Sequence, residues 1–287
     1  MIADQQPRFH ICTLVTNWPQ YEAMKATFLD AGFDSISSRY TTFDNSHSNK
    51  FEPYSLINRL MVETPESYLI LCHQDILLDQ GHGRERLEQI VEELEQADPR
   101  WAVLGNAGCT DTFEFVVRIV DPTRWQDLDN PLTTDRPLTR GKMPPQPVHS
   151  LDENFLVLKT AAKVHASPQL SGFHLYATDL CLNARLAGHT CYVVDFNLTH
   201  LSPGNFGEDF QKARLLFIER WNREFHFLYI IRGAEIFLSR WRLARRLGPR
   251  SRVRRMFLNS PLLRKWMTRE LQQSQGQGAK IKALHDS

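Results

Sequence analysis

The sequence has no apolar run long enough to span a bilayer. Its opening, Met1-Ile2-Ala3-Asp4-Gln5-Gln6-Pro7, lacks the basic start and apolar stretch of a secretory signal, so the expected location is the cytoplasm. Cysteine is scarce. Cys12, Cys72, Cys109, Cys181 and Cys191 make an odd set of five with no CxxC spacing. Reduced core thiols of a cytosolic protein are the expected reading, and a cysteine zinc site is disfavoured. Phosphate-loop glycines are also missing: GxxxxGK[ST] is absent, and Gly105 and Gly108 do not meet GxGxxG and read as turn glycines. No internal repeat is found.

What is present fits a globular chain with an unequal charge distribution. Of its 287 residues 42% are hydrophobic and 23% charged, which is ordinary for a folded enzyme-sized protein. The net charge of +1 hides a division. Residues 1–231 carry 20 Lys+Arg and 30 Asp+Glu, whereas 232–270 carry 12 Lys+Arg against only Glu235 and Glu270. This predicts an acidic body (1–231), a basic amphipathic helical tail (232–270) and a disordered end (271–287). Arginines in the tail alternate with Trp241, Leu247, Phe257, Leu262 and Trp266. That mixture suits an anionic membrane surface first, docking on the body or a partner chain second, and nucleic acid third.

The body reads as strands alternating with helices. Strands are expected at Phe9–Val15, Ser35–Thr42, Tyr68–Cys72 and Trp101–Leu104, with helices between them. Arg84–Ala97 gives the clearest helix, since Leu87, Ile90, Val91 and Leu94 share one face. Strand–helix repetition implies an α/β class with a mostly parallel sheet. Phe113–Val120 and Val148–Leu158 each read as one strand, and Asp121–Pro147 as a long functional loop. A short helix over Thr178–Leu186, a strand at Cys191–Val194 and a helix over Glu208–Arg223 close the body.

Chemistry gathers at strand ends. Tyr68-Leu69-Ile70-Leu71-Cys72 runs into His73-Gln74-Asp75, and ligands bind at the carboxyl ends of parallel strands. Asp75 is also a residue that turns favour. Asp179 sits in a helix first turn, where capping and the helix dipole also favour a carboxylate. His200 stands near a strand end, where histidines are often structural. Thr13 and Asp44 fall at the ends of the first two strands, although Asp44 in Asp44-Asn45-Ser46 is also an ordinary turn residue. Asp152 and Glu153 either orient a substrate or are solvated charges.

Taken in order, these pieces resemble the GT-A-fold glycosyltransferases, family 2-like, over about residues 9–225. The resemblance rests on Thr13-Leu14-Val15-Thr16-Asn17, Phe43-Asp44-Asn45-Ser46, His73-Gln74-Asp75, Ser171 to Leu182, Ala187-Gly188-His189 and His200-Leu201-Ser202-Pro203-Gly204. It implies a Rossmann-like GT-A sheet flanked by helices, and transfer of a sugar from a nucleoside-diphosphate donor, with inversion, to a glycan or lipid-linked acceptor. It implies Mn²⁺ or Mg²⁺ held by Asp75 and His200. Asp179 would be the base, Thr13, Asp44, His73 and Asp75 would face the donor, and Asp152 and Glu153 the acceptor. The family's acidic motif carries an aspartate where this chain has His73, and an acid where it has Thr178. His73 is open between a metal ligand, a ribose contact and a turn residue, with a ribose contact or support of the metal ligands favoured because magnesium prefers oxygen. With the basic tail, the expected setting is the inner face of a membrane. The rival readings are a nucleotidyltransferase on a related sheet and a sugar- or nucleotide-binding module without catalysis.

Overall fold

The computed structural model describes residues 7–110, 115–120, 142–202, 207–224, 229–231 and 236–238. Its first half follows the expected alternation. Strands β1 (Phe9–Val15), β2 (Ser38–Asp44) and β3 (Tyr68–Cys72) run parallel, connected by helices α1 (Trp18–Asp30) and α2 (Pro53–Glu63). After β3 come β4 (Ile76–Leu78), α3 (Arg84–Ala97), β5 (Trp101–Gly105) and β6 (Ala107–Thr110). Then follow β7 (Phe115–Val117), β8 (Ile119–Val120), β9 (Gln146–Leu151) and β10 (Phe155–Lys159). Helix α4 (Tyr176–Leu186), β11 (Thr190–Val193), β12 (Leu198–His200) and α5 (Glu208–Trp221) complete the body.

Nine strands form one sheet in the order β2-β1-β3-β10-β5-β11-β9-β6-β7. The pairings make β1, β2, β3, β5, β6 and β11 run one way and β7, β9 and β10 the other. This is the α/β, mostly parallel architecture that the GT-A resemblance implied. A smaller sheet, β4-β12-β8, lies beyond the end of β3.

Each face of the large sheet has its own core, because side chains alternate along each strand. Phe9, Ile11 and Val15 of β1 pack with Tyr21, Met24 and Phe28 of α1 and with Leu87, Ile90, Val91 and Leu94 of α3. Cys12, Leu69 and Leu71 pack on the other side with Leu56, Ile57 and Leu60 of α2 and with α4 and α5. Burying side chains of this size contributes about 1.5–3 kcal/mol each, so the two cores fix both the register and the crossovers. Caps set the helix starts. Asn17 accepts the Gln20 amide at 3.2 Å, and Glu52 accepts those of Tyr54 and Ser55.

Several expectations need correction. Phe113–Val120 is not one strand: at Arg118 it divides into β7 in the large sheet and β8 in the small one. The buried Arg118 side chain turns inward to pair with Asp195. Val148–Leu158 is likewise two strands with a corner at Asp152-Glu153-Asn154, where Asp152 Oδ1 accepts the backbone and side-chain N–H groups of Asn154. Gly105 and Gly108 lie in or beside strands rather than in turns. A Cβ on Gly108 would sit 2.3 Å from the Ser150 carbonyl oxygen, so glycine there permits close strand contact. Residues 121–141 of the expected loop, Pro203-Gly204, and nearly all of 232–287 lie outside the described residues. Of the expected helical tail, only Ile236–Leu238 is described. It is a strand, β14, paired antiparallel with β13 (Tyr229–Ile231). Among the described residues no helix is long and apolar enough to cross a membrane.

Candidate functional site

The site forms where β3 ends. β3 carries the chain to His73, whose backbone N–H donates to the Asn154 carbonyl at 2.9 Å. Asp75 then leads into β4, which pairs antiparallel with β12 and sets His200 opposite Ile76. The Leu201 N–H donates to the Asp75 carbonyl at 2.9 Å, which closes this pairing. Two distant segments are thus tied by backbone bonds just where their side chains converge.

His73 Nδ1 lies 3.9 Å from Asp75 Oδ1, and His200 Nε2 lies 3.4 Å from the same oxygen. One donor atom from each residue falls within 4.8 Å of the others. Burial disfavours charge on Asp75, but the hydrogen bond from His200 and the field of His73 hold its carboxyl below the usual range. Burial also pushes the His73 imidazole down, favouring the neutral ring that ligates metals, although its side chain is 40% exposed toward the cleft. Two imidazoles and one carboxylate fit a divalent transition ion. Of the readings open for His73, the geometry favours a place beside Asp75 and His200, with which it could hold a metal ion.

Between His73 and Asp75, the Gln74 side chain turns the other way. Its Oε1 accepts the N–H groups of Thr16 and Asn17, both at 2.8 Å, and its Nε2 donates to Thr16 Oγ1 at 2.6 Å. Gln74 therefore clamps the β1–α1 connection against the end of β3.

An apolar pocket opens beside this cluster. Cys12, Leu14, Leu56, Ile57 and Leu71 line its interior, while Thr16, Asn45, Gln74, Asp75 and Phe173 are among its other walls. Sequence reasoning named none of the apolar residues as part of a site. The available signal was parity: Cys12 and Leu14 face the same side of β1. Thr13, of opposite parity, faces the other core, where its hydroxyl contacts the Cys72 thiol at 3.3 Å. Thr13 is therefore not brought to the pocket. Asp44 is exposed, and its Oδ1 accepts the N–H and hydroxyl of Ser46; its neighbour Asn45 lines the pocket. Beneath the pocket His10 sits buried against Thr64, Thr41, Arg39 and Cys12, and burial, then the Arg39 charge, pushes its imidazole down to about 4. Burial raises the Cys12 thiol, so it is a wall rather than a nucleophile.

Asp152 and Glu153 meet the cluster from the β9–β10 corner. Burial disfavours charge on Asp152, but Asn154 and the nearby His200 and His73 hold it below the usual carboxylate range. Burial, and next Asp152, push Glu153 up to about 8, against the amides of Leu175, Tyr176 and Ala177 that its carboxylate accepts. Asp179 lies elsewhere. It has no exposed surface and accepts from the Ser167 N–H at 2.6 Å, Ser167 Oγ at 2.7 Å, Asn183 Nδ2 at 3.0 Å and Trp221 Nε1 at 2.9 Å. It ties the loop before α4 to α4 and α5, and is not among the residues lining the pocket.

No protein-family model matches the chain. Mannosyltransferase PcManGT from Pyrobaculum calidifontis, solved with GDP-Man and Mn²⁺, has a TM-score of 0.45 at 7% identity over 74% of this chain and 61% of that one. TarS 1–349 of S. aureus has a TM-score of 0.43 at 13% identity over 75% of this chain and 66% of that one. A much higher sequence identity links the chain to the curated protein "ATP synthase subunits region ORF 6" of Fuscovulum blasticum. The two are 30% identical over 251 residues, covering 83% of this chain and 93% of the relative. The chain belongs to the family of that Fuscovulum blasticum protein.

Proposed function

We propose that the protein is a glycosyltransferase that moves a sugar from a nucleoside-diphosphate donor to an acceptor hydroxyl, with inversion. The observation that carries this reading is the convergence of His73, Asp75 and His200 at the end of β3, beside an apolar pocket. A divalent cation held by these three residues supplies positive charge against the negative charge that a departing diphosphate gathers. The chain's own residues do the rest. Leu14, Leu56, Ile57 and Leu71 receive the flat face of the nucleobase and exclude water from it. Gln74 keeps the β1–α1 connection in place as one wall. Asp44 keeps Oδ2 for a ribose hydroxyl, its Oδ1 being taken by Ser46.

The base is assigned to Asp152 rather than to Asp179. Asp152 keeps exposed surface, is held ionised by Asn154 and by the nearby His200 and His73, and gives only its Oδ1 to Asn154. An ionised, exposed oxygen near His73 and His200 can accept the proton of an attacking hydroxyl, whereas Asp179 is buried and already accepts four hydrogen bonds. Glu153, protonated beside Asp152 near neutral pH, keeps the pair from carrying two adjacent negative charges. The acceptor is a glycan or lipid-linked sugar, and the arginine- and tryptophan-rich segment 232–270 would engage an anionic membrane surface.

Calorimetric titration with a panel of nucleoside diphosphates tests this reading. One nucleotide should bind with Mn²⁺, at least about tenfold more weakly with Mg²⁺, which prefers an all-oxygen shell, and not at all in Asp75→Ala. Absence of binding with any metal would overturn the proposal.

A further inference from the structure

Tyr176 opens α4, and its hydroxyl lies between two groups. It is 3.1 Å from the Glu153 carbonyl oxygen and 3.3 Å from His73 Nε2. A phenol has one proton, and the carbonyl can only accept it. With the proton directed at Glu153, the contact with His73 runs the other way, from the imidazole Nε2–H to the phenol oxygen. This leaves Nδ1 without a proton. Nδ1 is the nitrogen turned toward Asp75, and at 3.9 Å the Asp75 oxygen is too distant to hold a proton on it by hydrogen bonding.

We propose that Tyr176 is a positioning residue that selects the tautomer of His73 and thereby presents the Nδ1 lone pair to a divalent cation. The inference rests on the proposed metal site and adds the group that sets its geometry. Tyr176 suits this task because it is held from several sides. The Glu153 carboxylate accepts the amides of Leu175, Tyr176 and Ala177, so its corner and the first turn of α4 grip each other twice. The Tyr176 ring meets Tyr54 edge-on at 6.3 Å, and the Tyr54 hydroxyl donates to the His174 carbonyl at 2.9 Å. The phenol is thus fixed to the scaffold, while the partly exposed imidazole orients to it. Hydrogen bonds behind a metal-bound histidine act in this way, orienting the ring and fixing which nitrogen is bare.

The test uses the full-length chain and Tyr176→Phe, which removes one oxygen and leaves the ring packing on Tyr54. Without metal, nitrogen-15 NMR of the His73 ring, assigned by its loss in His73→Gln, should show the Nε2–H tautomer in the parent and a mixture in Tyr176→Phe. Mn²⁺ affinity, read from the free-ion paramagnetic resonance signal, should fall about 10–100-fold in Tyr176→Phe. A carboxylate has no tautomer to set, so in a His73→Asp background Tyr176→Phe should leave Mn²⁺ affinity unchanged. That null result separates tautomer selection from general disturbance of the fold. An Nδ1–H tautomer in the parent, or equal Mn²⁺ affinity with and without the hydroxyl, would overturn the proposal. Failure of the parent to bind Mn²⁺ would overturn the delivery of the lone pair together with the proposed function, while the metal-free spectrum would still decide the tautomer.

Discussion

Asp179 and Asp152 are one side-chain type in two environments, one buried among donors and one exposed. Asp179 accepts four hydrogen bonds in the dry space between α4 and α5, and burial pushes its carboxyl up despite them. Of the four partners only the Ser167 hydroxyl can also accept, so in either orientation Asp179→Asn turns an amide N–H toward a group that can only donate, and it should cost about 2–3 kcal/mol of stability. Urea unfolding checks that cost, and nucleotide binding of the folded fraction should remain within a few-fold. Asp152→Asn should do the reverse, keeping stability and losing transfer. An Asp179→Asn protein of full stability but without transfer would return the base role to Asp179. From sequence the two could not be separated, because an aspartate in a helix first turn looks alike whether it caps, braces or reacts. The donors that decide the matter, Ser167 and Trp221, come from outside the motif. Asp75 stood out as a candidate because a buried strand that ends abruptly in polar residues marks the rim of a sheet, where ligands bind, and His200 because of the resemblance. Gln74 and Tyr176 did not, since their roles depend on partners that only the fold supplies.

At the scale of elements, long periodic segments could be read and short ones could not. Arg84–Ala97 is a helix over the residues its apolar spacing predicts. Three-residue strands such as β4 and β12 carry too few positions to show a period, yet they hold the site together. The corner at Asp152-Glu153-Asn154 was hidden for a similar reason, as the strands on either side are apolar enough to read as one. Close packing of β6 on β9 leaves a sharper trace in Gly108. Gly108→Ala would place a methyl group 2.3 Å from the Ser150 oxygen and 3.0 Å from Val193 Cγ2, so the strands must part. The expected loss is about 3 kcal/mol, the upper part of the range for overpacked sites. Thermal unfolding measures it, and an unchanged midpoint would mean that β6 has room to move.

The whole molecule should also respond to acid through a group outside the proposed catalytic set. His10 is 2% exposed, and its imidazole is pushed down from 6.5 to about 4. Between those values the unfolded chain takes up a proton that the folded one refuses. The stability is therefore present above pH 6.5 and is lost as pH falls toward 4. By linkage the loss attributable to His10 reaches about 2 kcal/mol at pH 5. Urea unfolding at pH 7 and pH 5 should show this decline, and His10→Gln should flatten it. An equal slope in the variant would remove His10 from the account.

The β4–β12 pairing has a consequence for how the molecule assembles. Asp75 and His200 come from far-apart parts of the chain and meet only if those three-residue strands align His200 with Ile76. A slip by one residue would turn the imidazole away from the carboxylate, since neighbouring side chains on a strand face opposite sides. Metal affinity at the proposed site would therefore gauge correct strand alignment, and an ion bound there would act as a latch that closes only on chains whose early and late halves have met properly.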